Sequence, residues 1–204
     1  MEKFMALPED KQKKIIDAAL QVFGENTYSK ASTGNIAAAA EISKGMVFHY
    51  FGSKRALYFY LIELCGNLLT SEREKHLDHD VTDFFDKIKL ATNIKVTAIK
   101  KHPALLAFLK NVYFETDSEV VDEIREKVSH GVANSRDALM EKIDTTKFKD
   151  PSSHGLLMKL LAWASEGLME NRFGSSGMDE RIEDYFACLD LLKANFYKGE
   201  CCNE

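Results

Sequence analysis

The 204-residue sequence predicts an all-α chain. Three observations carry that expectation. Apolar residues recur at steps of three and four through most of the length, which places them on one face of a helix. No segment alternates apolar and polar residues as a half-buried strand does. The three prolines and eleven glycines fall mostly between the periodic segments, where helices start and stop.

In order along the chain, residues 8–23 read as a helix with Ile15, Ile16, Ala19, Leu20 and Phe23 on one face, Pro8 near the start and Gly24 just past the end. Lys11, Lys13 and Lys14 lie on its polar side, a solvated face or one turned to phosphate. Thr33 is placed to cap a short helix whose Ile36, Ala37 and Ala40 let a neighbour approach closely. Glu41 and Ile42 connect it to a second short helix, residues 44–51, capped by Ser43. Ser53 caps a long helix, residues 54–74, with Leu57, Leu61, Leu64 and Leu68 in one stripe. Helices are further expected at 81–101, 103–114, 118–143, 153–173 and 178–197, nine in all, with a loop at 147–153. The expected domains are 1–53, a helical head that ends on the two short helices, and 54–204, a larger helical domain.

The two short helices carry the chemistry. They share an apolar wedge of Ile36, Ala37, Ile42 and Val47, leaving Lys44, Gly45, Met46, His49 and Tyr50 outward. In a helix-turn-helix the start of the second helix enters the major groove. Gly45 and Met46 then lie nearest the base edges, where a small or flexible apolar residue meets a thymine methyl. Lys44, His49, Tyr50 and Lys54 reach phosphates, which set register without reading sequence. Thr33, opening the first helix of the pair, completes the expected DNA-binding set.

The overall charge of −5 is unevenly spread. Residues 1–55 hold eight Lys and Arg against six Asp and Glu, a net of +2, so the remainder carries −7. A basic end on an acidic body suits a DNA-binding module joined to another domain, because attraction to phosphate is local.

The run Ser-Lys-Gly-Met-Val-Phe-His-Tyr-Phe-Gly-Ser-Lys from Ser43 to Lys54, with Asn-Ile-Ala before it, resembles the DNA-binding signature of the TetR family of bacterial transcriptional regulators. The resemblance implies a three-helix DNA-binding head, a helical domain that binds a small-molecule inducer, a homodimer and, as the family's commoner behaviour, repression. Two positions depart from the pattern. Glu41 stands where the family usually has glycine in the turn, at a left-handed backbone penalty of about 1 kcal/mol. Phe48 stands where tyrosine is favoured, removing a hydroxyl able to bond phosphate.

Two apolar stripes, Leu156, Leu157, Leu160, Leu161, Ala164, Gly167 and Leu168 on one helix and Ile182, Tyr185, Phe186, Leu189, Leu192 and Phe196 on the next, either finish the core or form a four-helix dimer interface. With the resemblance, the interface is assigned to Leu160, Ala164, Ile182, Phe186, Leu189 and Phe196. Phe108, Tyr113, Phe114, Met158 and Trp163, with Glu166, are the candidate lining of a pocket for a hydrophobic or amphipathic ligand. Glu115, Glu166 and Glu170 could hold a cation if buried. The 54–74 helix is the expected lever between ligand and DNA.

Other functions find little support. The six histidines are scattered, and His76-x-x-His79-Asp80 lacks further ligands, so no metal, cofactor or catalytic set is expected. Cys65, Cys188, Cys201 and Cys202 fit reduced thiols rather than a disulfide scaffold. No apolar run approaches the roughly 18 residues of a membrane span, and the first residues lack a secretion signal, so a cytoplasmic protein without a membrane partner is expected. The expected partners are a double-stranded DNA operator, a small-molecule inducer and a second copy of the chain. The alternative is a helical ligand-binding protein whose helix-turn-helix no longer binds DNA.

Overall fold

The computed structural model describes residues 1–169 and 177–199. Among them lie ten α-helices: α1 Glu2–Met5, α2 Glu9–Glu25, α3 Thr33–Ala39, α4 Lys44–Phe51, α5 Lys54–His76, α6 Phe84–Lys101, α7 Pro103–Tyr113, α8 Val121–Met140, α9 Ser153–Met169 and α10 Met178–Phe196. The helix beyond the nine expected is α1, a single turn. Packing forms two compact units, Met1–Lys75 with Lys95–Asn134, and His76–Ile94 with the described residues from Ser135 onward. Residues on both sides of the expected 53/54 boundary pack within the first unit.

An aromatic core holds the first unit together. Phe23, Tyr28, Tyr58 and Phe108 are buried, with ring centroids 4.9 Å apart for Phe23 and Tyr58 and 5.5 Å for Tyr58 and Phe108. Gly24 lies inside α2 rather than past its end. A Cβ there would come within 2.9 Å of the Ala107 Cβ on α7, so glycine is what lets these helices pack closely. The Asn111 amide donates to the carbonyls of Phe23 at 2.9 Å, Gly24 at 2.8 Å and Asn26 at 3.2 Å, satisfying groups that a helix end leaves open. Glu115 is buried and accepts from the backbone N–H groups of Tyr28 at 2.7 Å and of Thr116 and Asp117 at 3.0 Å. Its carboxylate holds the chain together and is not left for a cationic ligand.

Phe4 on α1 is fully buried against Phe51, Tyr60 and Tyr50, with centroid distances of 4.8, 5.8 and 6.2 Å. One turn of helix thus plugs the base of the three-helix head.

The second unit has its own core of Phe84, Phe85, Ile88, Phe148, Leu157, Met158, Leu161, Tyr185, Leu189 and Tyr197. Asp83 sets the start of α6, accepting from the N–H groups of Phe85 at 3.1 Å and Asp86 at 3.2 Å, so the helix begins later than the expected residue 81. Lys147 at 3.2 Å and Lys193 at 3.3 Å pair with the same carboxylate. Burial would raise the Asp83 carboxyl pKa, but the Asp86 N–H and the two ammonium groups together hold it below the ordinary value. α8 stops at Met140, short of the expected residue 143, and Lys142 beyond it takes a left-handed φ of 60°.

Candidate nucleic-acid interface

The head is assembled from local signals in α2 to α5. Ser32, not Thr33, caps α3: the Gly34 N–H donates to Ser32 Oγ at 3.1 Å, and Thr33 is the first helical residue, buried beneath the helix start. Thr33 is therefore corrected from an exposed capping and DNA-contacting residue to a packed one. Ile36 and Ala37 bury the inner side of α3. The turn follows, with the Ile42 N–H donating to the Ala37 carbonyl at 2.9 Å and Glu41 in the left-handed region at φ 54°.

Glu41 is the backbone exception that the missing glycine implied. Its exposed carboxylate pairs with Lys14 of α2, and that hydrogen bond and charge hold its pKa below the usual range. Lys14 is thus engaged across the turn.

Ser43 caps α4 as expected, accepting from the Met46 N–H at 3.3 Å. Val47 is fully buried and Tyr50 and Phe51 are buried beside it, whereas Lys44, Gly45, Phe48 and His49 are exposed and Met46 is half-buried. Tyr50 is corrected from an outward phosphate contact: its ring packs edge-on to Phe4. Gly52 ends α4 at φ 78°, donating its N–H to the Phe48 carbonyl at 2.8 Å, and Ser53 caps α5 through the Ala56 N–H at 3.0 Å. Lys54 is engaged as well, donating to the Tyr28 carbonyl at 2.9 Å with its ammonium 4.2 Å from the Tyr28 ring centroid. It is corrected from a free phosphate contact to a clamp on the loop before α3. What remains outward is one side of α4, Lys44, Gly45, Phe48 and His49 with the edge of Met46. That surface is small near its N-terminus, carries a cation and is free of carboxylates, which suits the major groove of a polyanion.

The other expected sites are placed differently. Phe108 is fully buried in the core of the first unit, leaving it no surface for a ligand. Tyr113 and Phe114 are exposed in that unit, with centroids 5.0 Å apart. Met158 belongs to the core of the second unit, and Trp163 is 61% exposed on α9. Phe108, Tyr113 and Phe114 thus fall in the first unit, and Met158 and Trp163 in the second. The side chains of Glu166, Leu168 and Met169, and all of Glu170, lie outside the described residues, as do Cys201 and Cys202. Cys65 is buried, which pushes its thiol up to about 12 and keeps it from thiolate chemistry.

The apolar stripe on α9 divides. Leu157, Met158 and Leu161 enter the core, whereas Leu156, Leu160 and Trp163 stand 68%, 44% and 61% exposed, with Ala164 and Gly167 also exposed. On α10, Leu189 is fully buried and is corrected from an interface residue to a core one. Ile182 is half-buried; Phe186 and Phe196 are partly buried against the core, and Leu191, not singled out from sequence, is exposed. Among the described residues no helix is long and apolar enough to cross a membrane.

Comparison with known proteins agrees with this geometry. Residues 15–61 match the family model for bacterial regulatory proteins of the tetR family. The chain is 29% identical over 198 residues to the fatty acid metabolism regulator protein of Bacillus subtilis, covering 92% of this chain and 96% of that one. It is 23% identical over 168 residues to the nucleoid occlusion factor SlmA of Vibrio vulnificus, covering 79% and 84%. The structure of the fatty acid degradation regulator FadR from Bacillus halodurans is similar in fold, with a TM-score of 0.64 at 23% identity over 87% of this chain and 96% of that one. Residues 15–61 thus carry the sequence pattern of tetR-family regulatory proteins, and the chain is similar in fold to solved TetR-family regulators over most of its length.

Proposed function

We propose that the chain is a homodimeric repressor that leaves its operator when a hydrophobic or amphipathic small molecule binds outside the head. Residues 1–53 bind DNA and residues 54–204 bind ligand and the second copy. Lys44 and His49 contact phosphates, and Gly45 and Met46 approach base edges. The observation that carries this is the exposed side of α4, held outward by the buried Val47, Tyr50 and Phe51. A second copy follows from the exposed row of Leu156, Leu160 and Trp163, spaced to lie along one side of α9. Two-fold symmetry sets recognition helices about 34–36 Å apart, on successive major-groove faces. Relatives named for fatty-acid metabolism and degradation favour a lipid-like ligand.

Ligand and operator are then coupled through two states, each weakening the other by the same factor. α5 runs out of the head and is the lever. Titration of sodium dodecanoate or dodecanol against protein bound to an operator selected from genomic DNA tests this. Reciprocal loss of affinity is expected; independent, additive binding contradicts the coupling.

A further inference from the structure

Lys14 of α2 and Glu41 of the turn between α3 and α4 are far apart in sequence and meet in the head, with the Lys14 Nζ 2.5 Å from the carboxylate. Their side chains are 45% and 77% exposed. An ion pair open to water on both partners adds little to stability. Glu41 also holds a left-handed φ of 54°, which glycine adopts freely and a residue with a side chain adopts only under strain. The fold thus gains little from a carboxylate here that glycine would not give.

The location of the pair gives it another use. In a helix-turn-helix the first helix crosses the DNA backbone and the start of the second enters the groove, so the turn joining them runs beside phosphates. Glu41 lies two residues before Ser43, the cap of α4. Consecutive Cα atoms are about 3.8 Å apart, so the ion pair sits close to the end of α4 that faces the groove. An ammonium at that place attracts a phosphate, and a carboxylate repels one. Asp10 and Asp17 border the same open cleft between α2 and α3 as Lys14, but Asp17 is paired with Lys13 at 3.6 Å. Small Ala18 and Ala39 line that cleft too, which leaves the Lys14 stem room to turn.

We propose that Glu41 is an internal stand-in for a DNA phosphate: it holds Lys14 in the free protein, and Lys14 passes to a backbone phosphate when the head docks on a duplex. Lys14 is then a backbone contact, and Glu41 sets how tightly DNA is held. Lys14 displaces a cation from the phosphate while the vacated Glu41 takes one up, so the exchange adds nothing net to the ions released on binding. This rests on the DNA-binding function proposed above and adds one contact and the residue that restrains it.

The test measures binding of the intact protein, its Glu41→Gln variant and the double variant Glu41→Gln with Lys14→Met to one duplex selected from genomic fragments, by fluorescence anisotropy from about 50 to 200 mM salt. Glu41→Gln should bind roughly two- to five-fold more tightly at the low end, the range an exposed ion pair spans. Its salt slope should steepen by about one, because Glu41 no longer takes up a cation. Adding Lys14→Met should abolish the gain and return the slope to that of the intact protein. Unchanged affinity and slope in Glu41→Gln, or a gain that survives Lys14→Met, overturns the exchange and leaves DNA binding standing. Failure of all three proteins to retain the duplex at low salt overturns DNA binding and the exchange with it. Folding is read separately through Glu41→Gly, which relieves the strained turn as it removes the pair and should not lower Tm by more than about 4 °C. A larger fall assigns the pair to the fold and contradicts the proposal.

Discussion

The outward sides of α4 and α9 are both helix surfaces left uncovered, and their chemistry is opposite. α4 presents Lys44, Gly45 and His49 over a fully packed base, with Phe48 the exception. α9 presents Leu156, Leu160 and Trp163. A polar, carboxylate-free surface remains favourable in water and suits a polyanion, whereas a row of large apolar side chains is favourable only when covered. Under the proposed function, the first surface meets DNA and the second a further copy of the chain.

Removing the base of the first surface should have the largest effect. Phe4→Ala empties a site enclosed by Tyr50, Phe51 and Tyr60, and a loss of about 4 kcal/mol in stability is expected by thermal or urea unfolding. A loss below about 1 kcal/mol would show that the head stands without α1.

The second surface is sharpened by neighbours on α10. Leu189→Ala should destabilise by about 3 kcal/mol, because Leu189 is fully buried. Leu191→Ala, at an exposed position, should change the stability of the single chain by less than about 0.5 kcal/mol. Equal losses would contradict the division of α10 into core and outer sides. Leu160→Glu should leave a folded chain that sediments as a monomer and binds a two-half-site operator about a hundred-fold less tightly, since the second head no longer binds as part of the same molecule. A dimer of unchanged stability would move the interface elsewhere.

The chain makes parts of this arrangement legible and hides others. The pair α3 and α4 is readable because caps, small residues and the turn coincide within twenty residues. Even Glu41 follows, since the position needs a left-handed backbone and its φ is 54°. Tyr50 is misplaced because α4 is only eight residues long and apolar on most sides, so helical periodicity does not say which aromatic ring turns inward. α1 is hidden for a similar reason, as one turn gives no repeat. On α9, Leu157 and Leu160 are identical in type and differ only in direction, so composition cannot separate the buried side from the exposed one. The amide-gathering roles of Asn111 and Glu115 depend on partners more than eighty residues away in sequence, which local patterns do not encode.

A smaller effect concerns pH. The Asp83 carboxyl lies below its ordinary value of 3.8 in the folded chain, so its contribution is fully present above that value and is lost as pH falls through the folded one. Unfolding followed downward from pH of about 5 should show the second unit weakening, and Asp83→Asn should flatten that dependence. An unchanged acid profile would mean that other carboxylates dominate.

The claim on which the rest depends is that α4 reads duplex DNA in two copies. Footprinting of the intact protein on genomic fragments selected at low salt tests it most directly. Two protected half-sites with centres about 34–36 Å apart are predicted. Lys44→Ala should weaken binding to all duplexes and reduce the salt slope by about one, and Met46→Ala should alter sequence preference. Failure to retain any duplex at low salt, or a footprint indifferent to both substitutions, would contradict it.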